Sequence, residues 1–295
     1  MSYRTALSEV LTSVIGPAAE TIRVQDRFPR GAVTALGRAG LLGLTVSTER
    51  GGGGQGLTQA LDVVARTARV CPATAAVLQS HYTAVAVIEA HGGSWVRREI
   101  AAGRHLASLA LAESRPEPEP QFRPVPDAAP HGPAAETQFR PVPDAAPHGP
   151  AAETQFLAPR SIATRSGDVV ALRARKRRVV AAGEADTYLW SSRPLTAPNG
   201  LTLWAVPAHA PDLFVPARPG LTGPRGSATS TVFADPVLVP AEAMLGTDGG
   251  GLDIMLRTVL PWLLELRAAA EPPRPPAIDV SFGSARRPAG TLAAS

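Results

Sequence analysis

Val169–Ser192, VVALRARKRRVVAAGEADTYLWSS, decides how this chain is built. Val169, Val170 and Leu172 open a strand, Val179 and Val180 resume it, and Tyr188, Leu189 and Trp190 run out as a second one. These residue types suit a pleated, half-buried surface. Ala182-Gly183-Glu184-Ala185 stands between them as a turn, so the stretch reads as a β-hairpin with a basic centre: Arg173, Arg175, Lys176, Arg177 and Arg178. Such a cluster can meet phosphate or nucleic acid. No aromatic residue interleaves the cations, so a solvated strand surface is the expected reading.

On either side of this stretch lie further short apolar runs: Leu106–Leu111, Ile162–Thr164, Leu201–Val206 and Val232–Val239. Turn signals punctuate them at Ser166-Gly167-Asp168, Pro198-Asn199-Gly200 and Pro211-Asp212. The pattern predicts a small antiparallel β-barrel. The N-terminal half has helical spacing instead, over residues 3–24, from Phe28 to Gly40, from Leu57, from Ala73 to Ala90 and from Trp95 to Ala102. Gly51, Gly53 and Gly56 spell G-x-G-x-x-G, but no second strand and no acid at ribose distance follow, so the run reads as a tight turn and not as a dinucleotide site.

Gln121–Thr137, QFRPVPDAAPHGPAAET, is repeated without change at Gln138–Thr154. With its prolines and no apolar face, the tandem copy is expected to be a disordered insert over residues 116–155, its His131 and His148 solvated and not metal-bound. Leu252–Ala270 is a helix apolar on nearly every side, which calls for burial in a bundle. Residues 271–295 have no periodicity. The expected layout is a helical domain over 1–105, a β-domain over 106–245, one helix over 246–270 and a disordered tail over 271–295. The fold class is α+β, ending in one helix of a missing four-helix bundle.

Lys176, Val179 and Ala182-Gly183-Glu184-Ala185-Asp186 resemble the "K-x-W-V-T-S-A-x-x-A-D" segment of the acyl-CoA dehydrogenase family. Leu221–Ser227, Val232–Asp235 and Val237–Pro240 resemble its "G-x-R-G-S … F-x-x-V-x-V-P" ending. Ser47–Gly52 stands where the family has "P-E-E-Y-G-G". Ala110–Ser114 matches the place of the family's flavin loop. The resemblance implies FAD held against the β-domain, with Leu111, Ala112, Glu113, Arg178 and Val180 as the cofactor contacts and Arg225 and Ser227 on the substrate side. It implies removal of hydrogen from the α and β carbons of an acyl thioester such as acyl-CoA, an electron-transfer partner and a homo-oligomer.

Several positions depart from the family pattern. Arg178 stands for its tryptophan, Val180 and Ala112 for hydroxyl-bearing residues, and no acid matches its catalytic base, since Asp253 and Glu265 have only surface spacing. Flavin binding is therefore expected to be weak or lost and the chain truncated and impaired, with a non-catalytic, partner-binding remnant as the alternative. Flavin-dependent monooxygenases share the fold, and His81 is the residue that would serve that reading.

Hydrophobic residues make up 44% of the 295, enough for a core, while 30 prolines and 5% aromatics indicate that part of the chain lies outside it. Net charge is +4. A single cysteine, Cys71, excludes an internal disulfide and a thiolate metal site. No signal peptide and no apolar run of membrane length is read, so the expected location is the cytoplasm, with neither nucleic acid nor membrane as partner.

Overall fold

The computed structural model describes residues 2–113, 159–216 and 223–271. The duplicated segment and all but the first residue of the 271–295 tail lie outside them.

The helical half begins with α1 (Tyr3–Val10) and α2 (Gly16–Gln25), joined through a π turn at Leu11–Ile15. Pro17 explains the turn. It has no N–H to give the preceding turn, and its ring crowds the carbonyl four residues back, so the helix widens there. The same pairing recurs near the C-terminus, where α7 (Gly251–Ile254) passes through a π turn at Met255–Val259 into α8 (Leu260–Ala270), with Pro261 in its first turn. Between these lie α3 (Arg30–Arg38), α4 (Leu57–Ala68), α5 (Pro72–His91) and α6 (Ser94–Ala101). The glycine run before α4 is a folded turn in which Gly53 and Gly54 donate to Gly43 and Val46, and α5, not a strand, follows α4. A side chain at Gly37 or Gly103 would strike the other's carbonyl at about 2 Å, so α3 and the end of α6 touch backbone to backbone.

The strands are β1 (Ala107–Ala110), β2 (Ile162–Ser166), β3 (Val169–Val179), β4 (Thr187–Ser192), β5 (Thr202–Pro207), β6 (Leu213–Phe214), β7 (Ser230–Pro240) and β8 (Met244–Leu245). They form two four-stranded sheets, ordered β1-β4-β5-β8 and β2-β3-β7-β6. This corrects three expectations. Among the described residues there is no closed barrel. Pairing is not wholly antiparallel, because β1 runs parallel to β4, Ala107 opposite Thr187. And Val169–Ser192 is not a hairpin: β3 pairs with β2 and β7, β4 with β1 and β5, and the turn at 180–186 carries the chain from one sheet to the other. The basic centre belongs to one continuous strand.

Val170, Leu172, Val179, Val232, Val237 and Val239 of one sheet meet Tyr188, Trp190, Trp204 and Val206 of the other in a common core. A second core, with Leu7, Ile15, Leu36, Val63 and Leu78, holds the helices together, and Leu266 of α8 is buried in it. The C-terminal helix thus packs on α4 and α5, leaving Leu252, Leu256 and Leu264 exposed. Cys71 is buried and free. Among the described residues no helix is long and apolar enough to cross a membrane, and no group of three or more His, Cys, Asp or Glu can hold a metal ion.

Candidate functional site

The site is set by a fault in β3. Side chains alternate along a strand, so Val170, Leu172 and Lys176 face inward while Arg173 and Arg175 face solvent. Strict alternation would bury Arg178 beside Lys176. Instead the register slips: Lys176 lies opposite Val232 and Val179 opposite Ser230, three steps against two. This bulge places Arg178 in the left-handed region at φ 54° and restores Val179 to the inside. The N–H of Arg177 donates to the carbonyl of Ala112 at 2.8 Å, tying the bulge to the end of β1.

Lys176 is the inward-facing cation, with no exposed surface. Its ammonium donates to the Glu113 carboxylate, to the Ser191 carbonyl at 2.6 Å and to Ser191 Oγ at 3.0 Å, and lies 5.2 Å from the Trp190 ring. Burial drives its pKa down to about 8, against the pull of Glu113. Burial pushes Glu113 up, but Lys176, Ser161 and the Arg160 N–H outweigh it, and the carboxyl titrates below its ordinary range. Of the basic run, Arg173 pairs with Asp235 at 3.4 Å and Arg175 lies 5.2 Å from the Phe233 ring.

Helix α5 and β1 are locked together under the bulge. Leu109 N–H donates to Ser80 Oγ at 2.9 Å, Ser80 and Ser108 hydroxyls meet at 2.8 Å, and Ser108 donates to the Val180 carbonyl at 2.5 Å. His81 is fully buried and bonded at both ring nitrogens: Nε2 to the Leu42 carbonyl at 3.0 Å, Nδ1 to the Ala107 N–H at 3.1 Å. An N–H donor on the Nδ1 side fixes that nitrogen as the acceptor, so the ring is neutral with its proton on Nε2. Burial holds its pKa down at about 4. His81 is a structural tie.

Above this floor opens a cleft in two parts. The inner part, about 210 Å³, lies between α5, the end of β1, the bulge and α8; Leu111, Ala112, Arg178 and Val180 all line it. The outer part, about 750 Å³, is bounded by α4, α5, α8 and the 223–229 loop, and shares Gln79, Arg178, Val180 and Arg267 with the inner one. Four of the five expected cofactor contacts therefore converge from separate segments of chain. Glu113 does not join them, being turned to Lys176. Of the expected substrate residues, Ser227 is buried, with Oγ 2.6 Å from Thr229 Oγ1, and Arg225 is exposed; neither lines the cleft, though their neighbours Pro224 and Thr229 do. Sequence reading missed Gln79, Arg69, Arg267 and Glu271, whose only signal was a place on a helix or at its end. Among the described lining residues, Glu271 at the outer margin is the one carboxylate.

Residues 2–103 match the family model of the acyl-CoA dehydrogenase N-terminal domain. A curated relative, the short-chain-specific acyl-CoA dehydrogenase of Clostridium acetobutylicum, is 22% identical over 263 residues, covering 87% of this chain and 60% of its own. Butyryl-CoA dehydrogenase of Megasphaera elsdenii superposes with a TM-score of 0.70 at 19% identity, over 91% of this chain and 63% of that one. FMN-bound TdsC from Paenibacillus sp. A11-2 gives 0.68 at 18% identity, over 90% and 61%. The chain spans about three-fifths of the length of the curated relatives it matches. Its helical half matches the acyl-CoA dehydrogenase N-terminal domain, and the chain is similar in sequence and fold to acyl-CoA dehydrogenases.

Proposed function

We propose that this chain is a flavin-dependent oxidoreductase of the acyl-CoA dehydrogenase type, holding FAD in the inner cleft and an acyl thioester in the outer one, and impaired in α,β-oxidation. The observation that carries the reading is the convergence of Leu111, Ala112, Arg178 and Val180 on one cavity. They come as two pairs from distant segments of the chain, and the resemblance had picked them out on motif position alone.

The residues present suit the faces of a flavin ring in their apolar character. Leu109, Leu111, Val259 and Leu260 offer an apolar wall, and Arg178, Arg177, Arg267 and Gln79 are the polar side chains available to it. They fit it less well in hydrogen bonding, because Ala112 and Val180 have no hydroxyl and the Ser80 and Ser108 hydroxyls are taken up within the fold. Bound there, flavin supplies hydride acceptance. Arg178 and Arg267 contribute positive charge beside it, and the packed α5–β1 floor excludes water from below. Abstraction of a proton next to a thioester carbonyl needs a base within hydrogen-bond reach. With no carboxylate in the inner cleft among the described residues, that half of the reaction is the impaired one.

Arg225 and Ser227 are assigned to the substrate side on the resemblance alone, Arg225 as a contact from the exposed loop and Ser227 as its anchor. We divide the chain into a helical domain to residue 105 and a β-domain to residue 245. The electron acceptor, a homo-oligomeric assembly and a cytoplasmic location belong to the same proposal. The monooxygenase reading loses its residue, since both nitrogens of His81 are committed within the fold. The test is titration of the purified full chain with FAD, followed by quenching of flavin fluorescence. Weak but saturable binding is expected; a linear response with no saturation overturns the flavoprotein reading.

A further inference from the structure

The outer cleft carries charge that a hydrocarbon acyl chain has no use for. Its walls are small, with Ala65 and Ala68 from α4, Ala75 and Ala76 from α5, and Ala269 and Ala270 from α8, which leaves about 750 Å³. Three guanidinium groups line the same space: Arg69 just after α4, Arg178 on the β3 bulge and Arg267 on α8. None has a carboxylate within ion-pair distance among the described residues, and Glu271 at the margin offsets one charge of the three.

Some exposed arginines elsewhere sit beside acids, among them Arg4 with Asp62, Arg23 with Glu20, Arg104 with Glu99, Arg173 with Asp235 and Arg257 with Asp253. The like charges in the cleft come from three separate elements across one cavity. Arg178 arrives by way of a left-handed backbone, a conformation unfavourable for a residue with a side chain and one that collects at ligand sites. Unpaired guanidinium groups facing a cavity match a planar or tetrahedral oxyanion, which they bind through paired N–H donors.

We propose that the outer cleft selects an acyl group that ends in an oxyanion, a carboxylate or a phosphate, over a plain hydrocarbon chain of the same length. This rests on the assignment of the outer cleft to the acyl thioester. Leu263 and the alanines enclose the methylene stem, and Arg69 and Arg267 receive the charged end.

The experiment is calorimetric titration of the full chain with succinyl-CoA and with butyryl-CoA, which share the CoA moiety and the four-carbon chain and differ in the terminal carboxylate. A charge-assisted contact corresponds to a preference of about tenfold or more for succinyl-CoA. Arg69→Gln should reduce it while leaving butyryl-CoA binding in place; Arg267→Gln should reduce it too, with its effect on FAD read separately because Arg267 also lines the inner cleft, and circular dichroism confirms the fold of both. Displacement of succinyl-CoA by inorganic phosphate, against displacement by propionate, tells which oxyanion the site favours. Equal affinity for the two thioesters overturns the proposal, as does loss of both in the glutamine variants, since the arginines would then serve the CoA half. FAD binding is measured separately by flavin fluorescence. A succinyl-CoA preference without FAD binding leaves the anion site standing and removes the flavoprotein reading. FAD binding without the preference does the reverse.

Discussion

Glu113→Gln tests whether the Lys176 pair is the charge balance on which the two sheets close. Lys176 has no exposed surface, and the Glu113 side chain is 8% exposed. Taking away the carboxylate charge leaves a buried ammonium with Ser191 and the Trp190 ring as its remaining partners. Breaking such a pair from one side costs about 3–5 kcal/mol. The protein's escape is to release the proton. In the parent the folded lysine titrates at about 8, so at pH 7 giving up the proton costs the folded state about 1–2 kcal/mol, and this escape holds the lysine's share of the deficit below the figure for a pair that cannot titrate. The sign of the pH dependence follows. The folded lysine titrates at about 8, below its unfolded value, so the unfolded chain binds more protons and stability rises with pH across that interval. Without Glu113 the folded value falls further and the interval widens downward. The deficit of the variant should therefore be about 1–2 kcal/mol smaller at pH 9.5 than at pH 7. Urea unfolding of parent and variant at both pH values measures it. A deficit under about 1 kcal/mol at pH 7, or one of equal size at the two pH values, would refute the reasoning.

His81→Phe should cost about 2–4 kcal/mol by orphaning the Leu42 carbonyl and the Ala107 N–H. Because the folded pKa of about 4 lies below the unfolded value, the parent should lose up to about 3 kcal/mol as the pH falls from about 6.5 towards 4, a loss absent from the variant in urea midpoints. Asp248 accepts from the N–H groups of Leu195, Thr196 and Ala197 and from Thr202 Oγ1; although burial raises its pKa, these bonds hold it well below the usual range, and Asp248→Ala should cost about 2–3 kcal/mol by thermal or urea unfolding. Ala112→Thr with Arg178→Trp and Val180→Thr should tighten FAD about tenfold or more in fluorescence titration. An unchanged affinity would show that these wall positions do not limit binding.

Much of the architecture is legible in the chain because periodicity and local chemistry agree. Leu57, Leu61 and Val64 repeat at helical spacing and α4 forms; Leu201–Val206 is β-rich between Gly200 and Pro207 and β5 forms. The family resemblance came through residues whose reasons are local, such as the Gly183 turn at φ 75°, which needs no side chain. Partner choice was not legible. A turn after β3 invites a hairpin, but the apolar faces of β3 and β4 are satisfied by different neighbours, and one short turn then bridges two sheets. That β1 would lie parallel to β4 has no signal in either strand, since the register is fixed by contacts made across some eighty residues of chain.

The basic run shows why the site was only half readable. Five cations between Arg173 and Arg178 look alike in sequence, yet they meet four different fates. Arg173 finds Asp235, Arg175 covers Phe233, Lys176 is buried on Glu113, and Arg177 and Arg178 turn to the cleft. Alternation alone predicts that two of the run face inward together, Lys176 and Arg178. The interior can satisfy one: Glu113 is a single carboxylate, and a second buried cation beside the first would cost several kcal/mol. A bulge costs less than that, so the strand takes one, and the residue it expels lines both parts of the cavity. The cavity's charge is thus a consequence of what the core could not accept. Motif position located Arg178 at the site, but its direction follows from the competition between Arg178 and Lys176 for one buried partner.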